Sequence, residues 1–155
     1  MNLPFETLLT NRLLFHNMLE HYSLEQLNYI PEGFNNNIFW NVAHSAATMQ
    51  LLVYSLSGNQ WRISKEIVKG YRNGTRPEKP YTQEDVDAVK AILMTSAEQC
   101  KIDYENEYFG EYQGLVTKTG FDMKSVEDAI QFNNYHEGIH MGYVLAIRRY
   151  VQDMV

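Results

Sequence analysis

Two histidines four residues apart, His136 and His140, lie in the run Asn133-Asn134-Tyr135-His136-Glu137-Gly138-Ile139-His140. On a helix, side chains at that spacing start about 5–6 Å apart on one face. Imidazoles so placed can converge on one divalent ion, about 2.0–2.1 Å from each nitrogen. Val126, Ala129, Asn133, His136, His140, Tyr143, Ile147 and Tyr150 alternate by three and four, which is the seam a bundle helix turns toward its neighbours. Imidazoles on a buried face lose hydration, and a metal compensates for that loss. A third histidine, His44, sits amid Trp40, Ala43, Ala47, Leu51 and Tyr54, at the centre of another apolar face. Alone, His44 reads more often as a hydrogen-bonded core residue than as a ligand. The three together read as an open metal site, because both segments place histidine where packing calls for Leu or Ala. Structural zinc sites are mostly closed by four ligands and favour cysteine, and this chain has one cysteine. An open, reactive ion is therefore expected, one that acidifies bound water or thiol and polarises oxygen atoms.

Four long helices are expected to carry these residues. The first spans residues 3–22, with Pro4 in its opening turn and a stripe of Phe5, Leu8, Leu9, Leu13, Phe15 and Leu19. His16 borders that stripe and is a lesser site candidate, whereas His21 reads as solvated. After a turn at Pro31 and Gly33, Asn35, Asn36 and Asn37 offer N-caps for a second helix that runs to Ser57 and stops at Gly58. Ser64 to Tyr71 reads as a short helix within a 59–81 connection, long enough to cross the bundle from end to end. The second and third helices then need not be antiparallel neighbours. Thr82-Gln-Glu-Asp85 is a capping pattern for the third helix, which runs to about Tyr108 and turns Val86, Val89, Leu93, Ala97, Cys100 and Tyr104 inward. Residues 110–124 read as a structured loop with extended pieces. Ser125 and Asp128 cap the fourth helix, and Arg148 and Arg149 suit its C-terminal dipole. Four such helices bury their apolar faces best as an all-α four-helix bundle, a single domain over residues 1–155.

His136-Glu137-Gly138-Ile139-His140 also satisfies H-E-x-x-H, in which the glutamate of a zinc protease acts as general base. Such proteases find their third ligand downstream, yet no histidine or glutamate follows His140 here. Asn41 and Asn133 each precede a candidate ligand by three residues and are expected to orient imidazoles. Cys100 reads as core packing rather than as a nucleophile. Tyr135 and Tyr143 flank the histidines.

Composition narrows the function classes. A net charge of −6 and a pI near 5.3, without any Lys/Arg-rich run, argue against nucleic acid as a partner. No apolar stretch reaches the roughly 18–20 residues of a membrane span. The opening Met-Asn-Leu-Pro-Phe-Glu lacks the basic and apolar regions of a secretory leader. With a lone cysteine that fits a reducing compartment, a soluble cytoplasmic protein is expected.

Ile38-Phe-Trp-Asn-Val-Ala-His44, Tyr135-His-Glu-Gly-Ile-His-Met-Gly-Tyr143 and Ala146-Ile-Arg-Arg149 together resemble the DinB-like (YfiT-like) metalloprotein superfamily over nearly the whole chain. One histidine followed far downstream by a four-residue-spaced pair is the ligand order of that family. The resemblance implies His44, His136 and His140 as ligands of a divalent metal such as nickel or zinc. It implies a four-helix bundle with a long crossover, and often a homodimer. Relatives of this kind include transferases and isomerases that use small thiols such as bacillithiol, mycothiol or glutathione. The related iron-dependent sulfoxide synthases place a glutamate two residues after the last histidine, where this chain has Gly142, so that reaction is not expected.

The expectation is a metal-dependent transferase in which a low-molecular-weight thiol attacks an electrophilic small molecule. A metal-dependent hydrolase and a non-catalytic, metal-stabilised bundle are the alternatives.

Overall fold

The computed structural model describes residues 3–154. Its helices are α1 (Leu3–His21), α2 (Leu24–Asn28), α3 (Ile38–Met49), α4 (Lys65–Tyr71), α5 (Gln83–Glu105) and α6 (Val126–Val151). A π-helical turn, Gln50–Tyr54, and a 3-10 turn, Ser55–Ser57, prolong α3. Strands β1 (Leu115–Val116) and β2 (Asp122–Met123) form a small antiparallel hairpin, with Leu115 opposite Met123. The fold is all-α, and the four long helices form the bundle. No described helix is long and apolar enough to cross a membrane.

Local chemistry sets the helix ends. Thr82 with Asp85 and Ser125 with Asp128 form full capping boxes, each satisfying two backbone donors reciprocally. Asn37 is the N-cap of α3, its side chain accepting from the Trp40 amide at 2.8 Å. The α3 extension ends at Gly58, whose φ of +71° is a conformation glycine adopts without a Cβ clash. The short α2, capped by Ser23 and Gln26, is absent from the sequence reading. At five residues it is too brief to show periodicity.

Helix α1 packs against α5 and α6, and α3 packs against α6 and α4, while α3 and α5 meet only slightly. The 59–81 segment therefore acts as a crossover, as its length suggests. One core cluster gathers Phe15, Leu19, Phe39, Ala43, Leu93, Val144 and Ile147; a second gathers Phe5, Leu8, Val53, Tyr54, Cys100 and Ile130.

Two faces differ from their expected positions. On α6 the buried stripe is Ala129, Ile130, Asn133, Glu137, Val144, Ile147 and Val151. The seam is thus rotated from the expected one: Tyr143 and Tyr150 are exposed, and His136 and His140 lie at its half-buried edge. On α1 the buried residues are Phe5, Leu8, Arg12, Phe15 and Leu19, while Leu13 is exposed. A charged side chain, Arg12, thus takes a core position.

Candidate metal centre

Helices α3 and α6 pack side by side and bring His44, His136 and His140 together. One ring nitrogen from each lies within 4.8 Å of the others. His44 is buried and the other two are half-buried. His16 and His21 stay on α1, outside this cluster; His21 is exposed and its Nδ1 faces the Asn17 carbonyl at 2.7 Å.

The hydrogen bonds decide which nitrogen each ring offers. His44 Nδ1 is 2.6 Å from the Tyr71 carbonyl, which can only accept, so Nδ1 carries the proton and Nε2 keeps its lone pair. Thr48, one turn on, stands 3.3 Å from that Nε2. Asn41 Nδ2 donates to Asn36 Oδ1 at 2.9 Å and to the Asn37 carbonyl at 2.7 Å. That fixes the amide so that its Oδ1 accepts from His140 Nδ1 at 2.8 Å. His140 Nε2 is therefore also a lone-pair atom. It faces His136 Nε2 at 3.1 Å, while the buried His136 Nδ1 has no partner among the described residues.

These contacts test the fit of a metal directly. Two nitrogens that share an ion at ~2.0–2.1 Å stand ~3–3.5 Å apart, the separation seen here between the two Nε2 atoms. Two rings are already held in the tautomer a ligand needs by partners on their far nitrogens, the arrangement that supports metal-binding histidines. Burial lowers the proton affinity of all three. His136 falls to about 4, through burial and then the neighbouring His44 and Arg12. His140 falls to about 3, through burial and then His136 and His44. Burial also lowers His44, against the opposing effect of its bond to the Tyr71 carbonyl. The rings are neutral at physiological pH, as ligation requires. The donor set suits a divalent metal ion.

The sequence model of the DinB superfamily matches residues 7–144. The chain belongs to the DinB superfamily. No curated protein matches it.

In this DinB-superfamily chain the imidazoles open onto a cleft of about 490 Å³. Trp40, Leu51, Leu52 and Phe132 form its apolar walls, and Asn36, Thr48, Asn73 and Tyr143 add uncharged polar groups. The Trp40 indole lies parallel to the His44 ring, centroids 4.5 Å apart and planes 10° apart, and its Nε1 donates to Thr75 Oγ1 at 3.1 Å. Leu51 and Leu52 reach the cleft from the π-helical turn, a feature that often marks functional sites in helices.

Glu137 has no part in the cleft. Both it and Arg12 are fully buried, with Arg12 Nη2 2.7 Å and Nε 3.0 Å from Glu137 Oε1. The general-base role suggested by H-E-x-x-H is overturned by this pairing. Asn133 also bonds Glu137, at 2.8 Å, and no imidazole, so of the two asparagines only Asn41 orients a ring. That ring is His140, on the facing helix, rather than the nearby His44. Cys100 is sealed in the core, and burial raises its thiol to about 12.

Two contributors were missed from sequence: the Tyr71 carbonyl and Arg12. A backbone carbonyl leaves no sequence signature. For Arg12 the signal was present, a charged residue in phase with Phe5, Leu8, Phe15 and Leu19.

Proposed function

We propose that His44, His136 and His140 ligate one divalent ion, nickel or zinc, and that the protein is a transferase joining a small thiol to an electrophilic small molecule. The carrying observation is that three imidazoles, two with their outward nitrogens already engaged, share a cleft with room for a guest. A bound ion would supply a positive charge that favours the ionised form of a thiol beside it.

The chain's own residues do the rest. Tyr71 and Asn41 hold two rings in position, and Trp40, Leu52 and Phe132 exclude water from one side of the cleft. The nucleophile comes from solution, because the one cysteine is buried with its thiol held protonated. In the transfer, the sulfur of the co-substrate forms the new bond to the electrophilic carbon. The leaving group departs with its bonding electron pair, and the thiol proton passes to solvent through the open cleft. Among the described residues no carboxylate lines the cleft to act as the base that hydrolysis would use, which favours transfer over the hydrolase reading. A cytoplasmic setting, where small thiols are abundant, and a homodimer complete the proposal.

Elemental analysis of protein purified without a histidine tag, beside the His44→Ala variant, tests the ligand assignment. About one divalent ion per chain in the native protein and a large loss in the variant is expected. Equal metal content in both would remove the reading. Turnover of esters without any thiol would point to hydrolysis instead.

A further inference from the structure

Hydroxyls inside a helix have a default partner, the backbone carbonyl four residues back. Thr7 donates to the Leu3 carbonyl at 3.0 Å, Thr10 to Glu6 at 2.8 Å, Ser45 to Asn41 at 2.9 Å and Thr95 to Ala91 at 3.2 Å. Thr48 of α3 departs from this habit. Its Oγ1 turns to the ring of His44, 3.3 Å from Nε2, and has no other partner among the described residues. That nitrogen carries no proton, because Nδ1 keeps it for the Tyr71 carbonyl, so the hydroxyl is the donor of the pair. Thr48 is half-buried and lines the same cleft as the three imidazoles.

A metal ion on His44 needs the lone pair to which Thr48 donates. The hydroxyl then loses its acceptor while staying at the edge of the site. An anionic donor atom of a ligand on the ion is the acceptor that replaces it, since a thiolate sulfur keeps lone pairs after it binds a cation. We propose that Thr48 contacts the incoming thiol, its hydroxyl donating a hydrogen bond to the sulfur held at the imidazoles. The hydroxyl keeps its proton throughout and only changes acceptor, from nitrogen to sulfur. The inference rests on the metal-and-thiol reading above and goes further by naming the side chain that touches the nucleophile. Because the cleft is open and water competes for the same sulfur, the bond is worth about three- to tenfold in affinity.

The test uses cobalt(II)-loaded native protein, Thr48→Val, which keeps the shape and removes the hydroxyl, and Thr48→Ser, which keeps the hydroxyl. Each is titrated with β-mercaptoethanol and, separately, with imidazole, whose nitrogen has no lone pair left once it binds the ion. Thr48→Val is expected to weaken mercaptoethanol binding about three- to tenfold and to leave imidazole binding within about twofold. Its sulfur-to-cobalt absorption band is expected to move to lower energy, because the sulfur lone pairs are no longer stabilised by a donor. Thr48→Ser is expected to match the native protein in all three readouts. Three results overturn the assignment while leaving the metal reading intact: equal mercaptoethanol affinity in native and Thr48→Val, equal losses for both probes in Thr48→Val, or a Thr48→Ser that behaves like Thr48→Val. A Thr48→Val that does not hold cobalt, or whose ligand-field bands differ from native before any probe is added, makes Thr48 a structural group or a ligand of the ion itself and overturns the assignment too. Failure of the native protein to give cobalt ligand-field bands overturns the metal reading, and native bands unmoved by mercaptoethanol overturn the thiol position; the inference falls with either.

Discussion

Arg12 Nη2 and Glu137 Oε1 stand 2.7 Å apart with neither side chain exposed, so an ion pair sits at the centre of the bundle directly behind the histidine cluster. Arg12 also reaches the Ser45 carbonyl at 3.4 Å and Met49 Sδ at 3.5 Å. From α1 it thus holds both helices that supply imidazoles: α3 through Ser45 and Met49, and α6 through Glu137.

Removing one partner strands a buried charge. Arg12→Met or Glu137→Leu alone is expected to cost about 3–5 kcal/mol, while the double substitution recovers most of that loss because neither charge remains. Urea unfolding of the three variants checks this. A double variant as unstable as either single one would count against the pair as the source of the effect.

Acid should weaken the metal-free fold. His136 and His140 titrate near 4 and 3 when folded, mainly through burial, against ~6.5 in an unfolded chain. Between those values the unfolded chain binds more protons, so stability is full above pH ~7 and falls as pH drops below ~6.5. At pH 5 the loss is about 2 kcal/mol per histidine before solvent screening. The urea midpoint of metal-free protein, measured from pH 7.5 to 5, should fall accordingly, and less steeply in His140→Leu.

The two asparagines should separate in their effects. Asn41→Ala frees His140 Nδ1 and is expected to weaken metal affinity about 10–100-fold. Asn133→Ala takes a donor from buried Glu137, so it should lower stability by about 1–3 kcal/mol and spare metal affinity. Competition with a chromophoric chelator, paired with thermal unfolding, distinguishes the two.

Glycines should respond in opposite directions. A Cβ on Gly110 would lie 2.8 Å from the Ser57 carbonyl oxygen, so Gly110→Ala is expected to destabilise by about 1–3 kcal/mol as the loop shifts off the end of α3. A Cβ on Gly138 meets nothing within 4 Å, and it lies inside α6. Gly138→Ala should therefore stabilise by about 0.5–1 kcal/mol. Thermal melts of the two variants read both signs.

Much of this molecule was legible because its signals are local. The capping boxes at Thr82 and Ser125, the glycine stop at Gly58 and the four-residue histidine spacing all depend on residues within one turn of each other. What escaped depends on distant partners. Arg12 and Glu137 are 125 positions apart, so although Arg12 falls in phase with the α1 stripe, the pairing that lets both charges be buried shows only once the two helices are placed. The true buried stripe of α6 passes through Glu137 for the same reason, which moved the histidines to its edge. The Tyr71 carbonyl that orients His44 comes from a crossover that reads in sequence only as a spacer. The π-helical turn left no periodic trace, since five residues hold too little pattern.

The sealed Cys100 has a practical and a biological side. With its one cysteine sealed in the core, the folded chain shows alkylating compounds no thiol of its own to modify. In the laboratory, maleimide dyes can then count a free small thiol in solution without background from the folded protein.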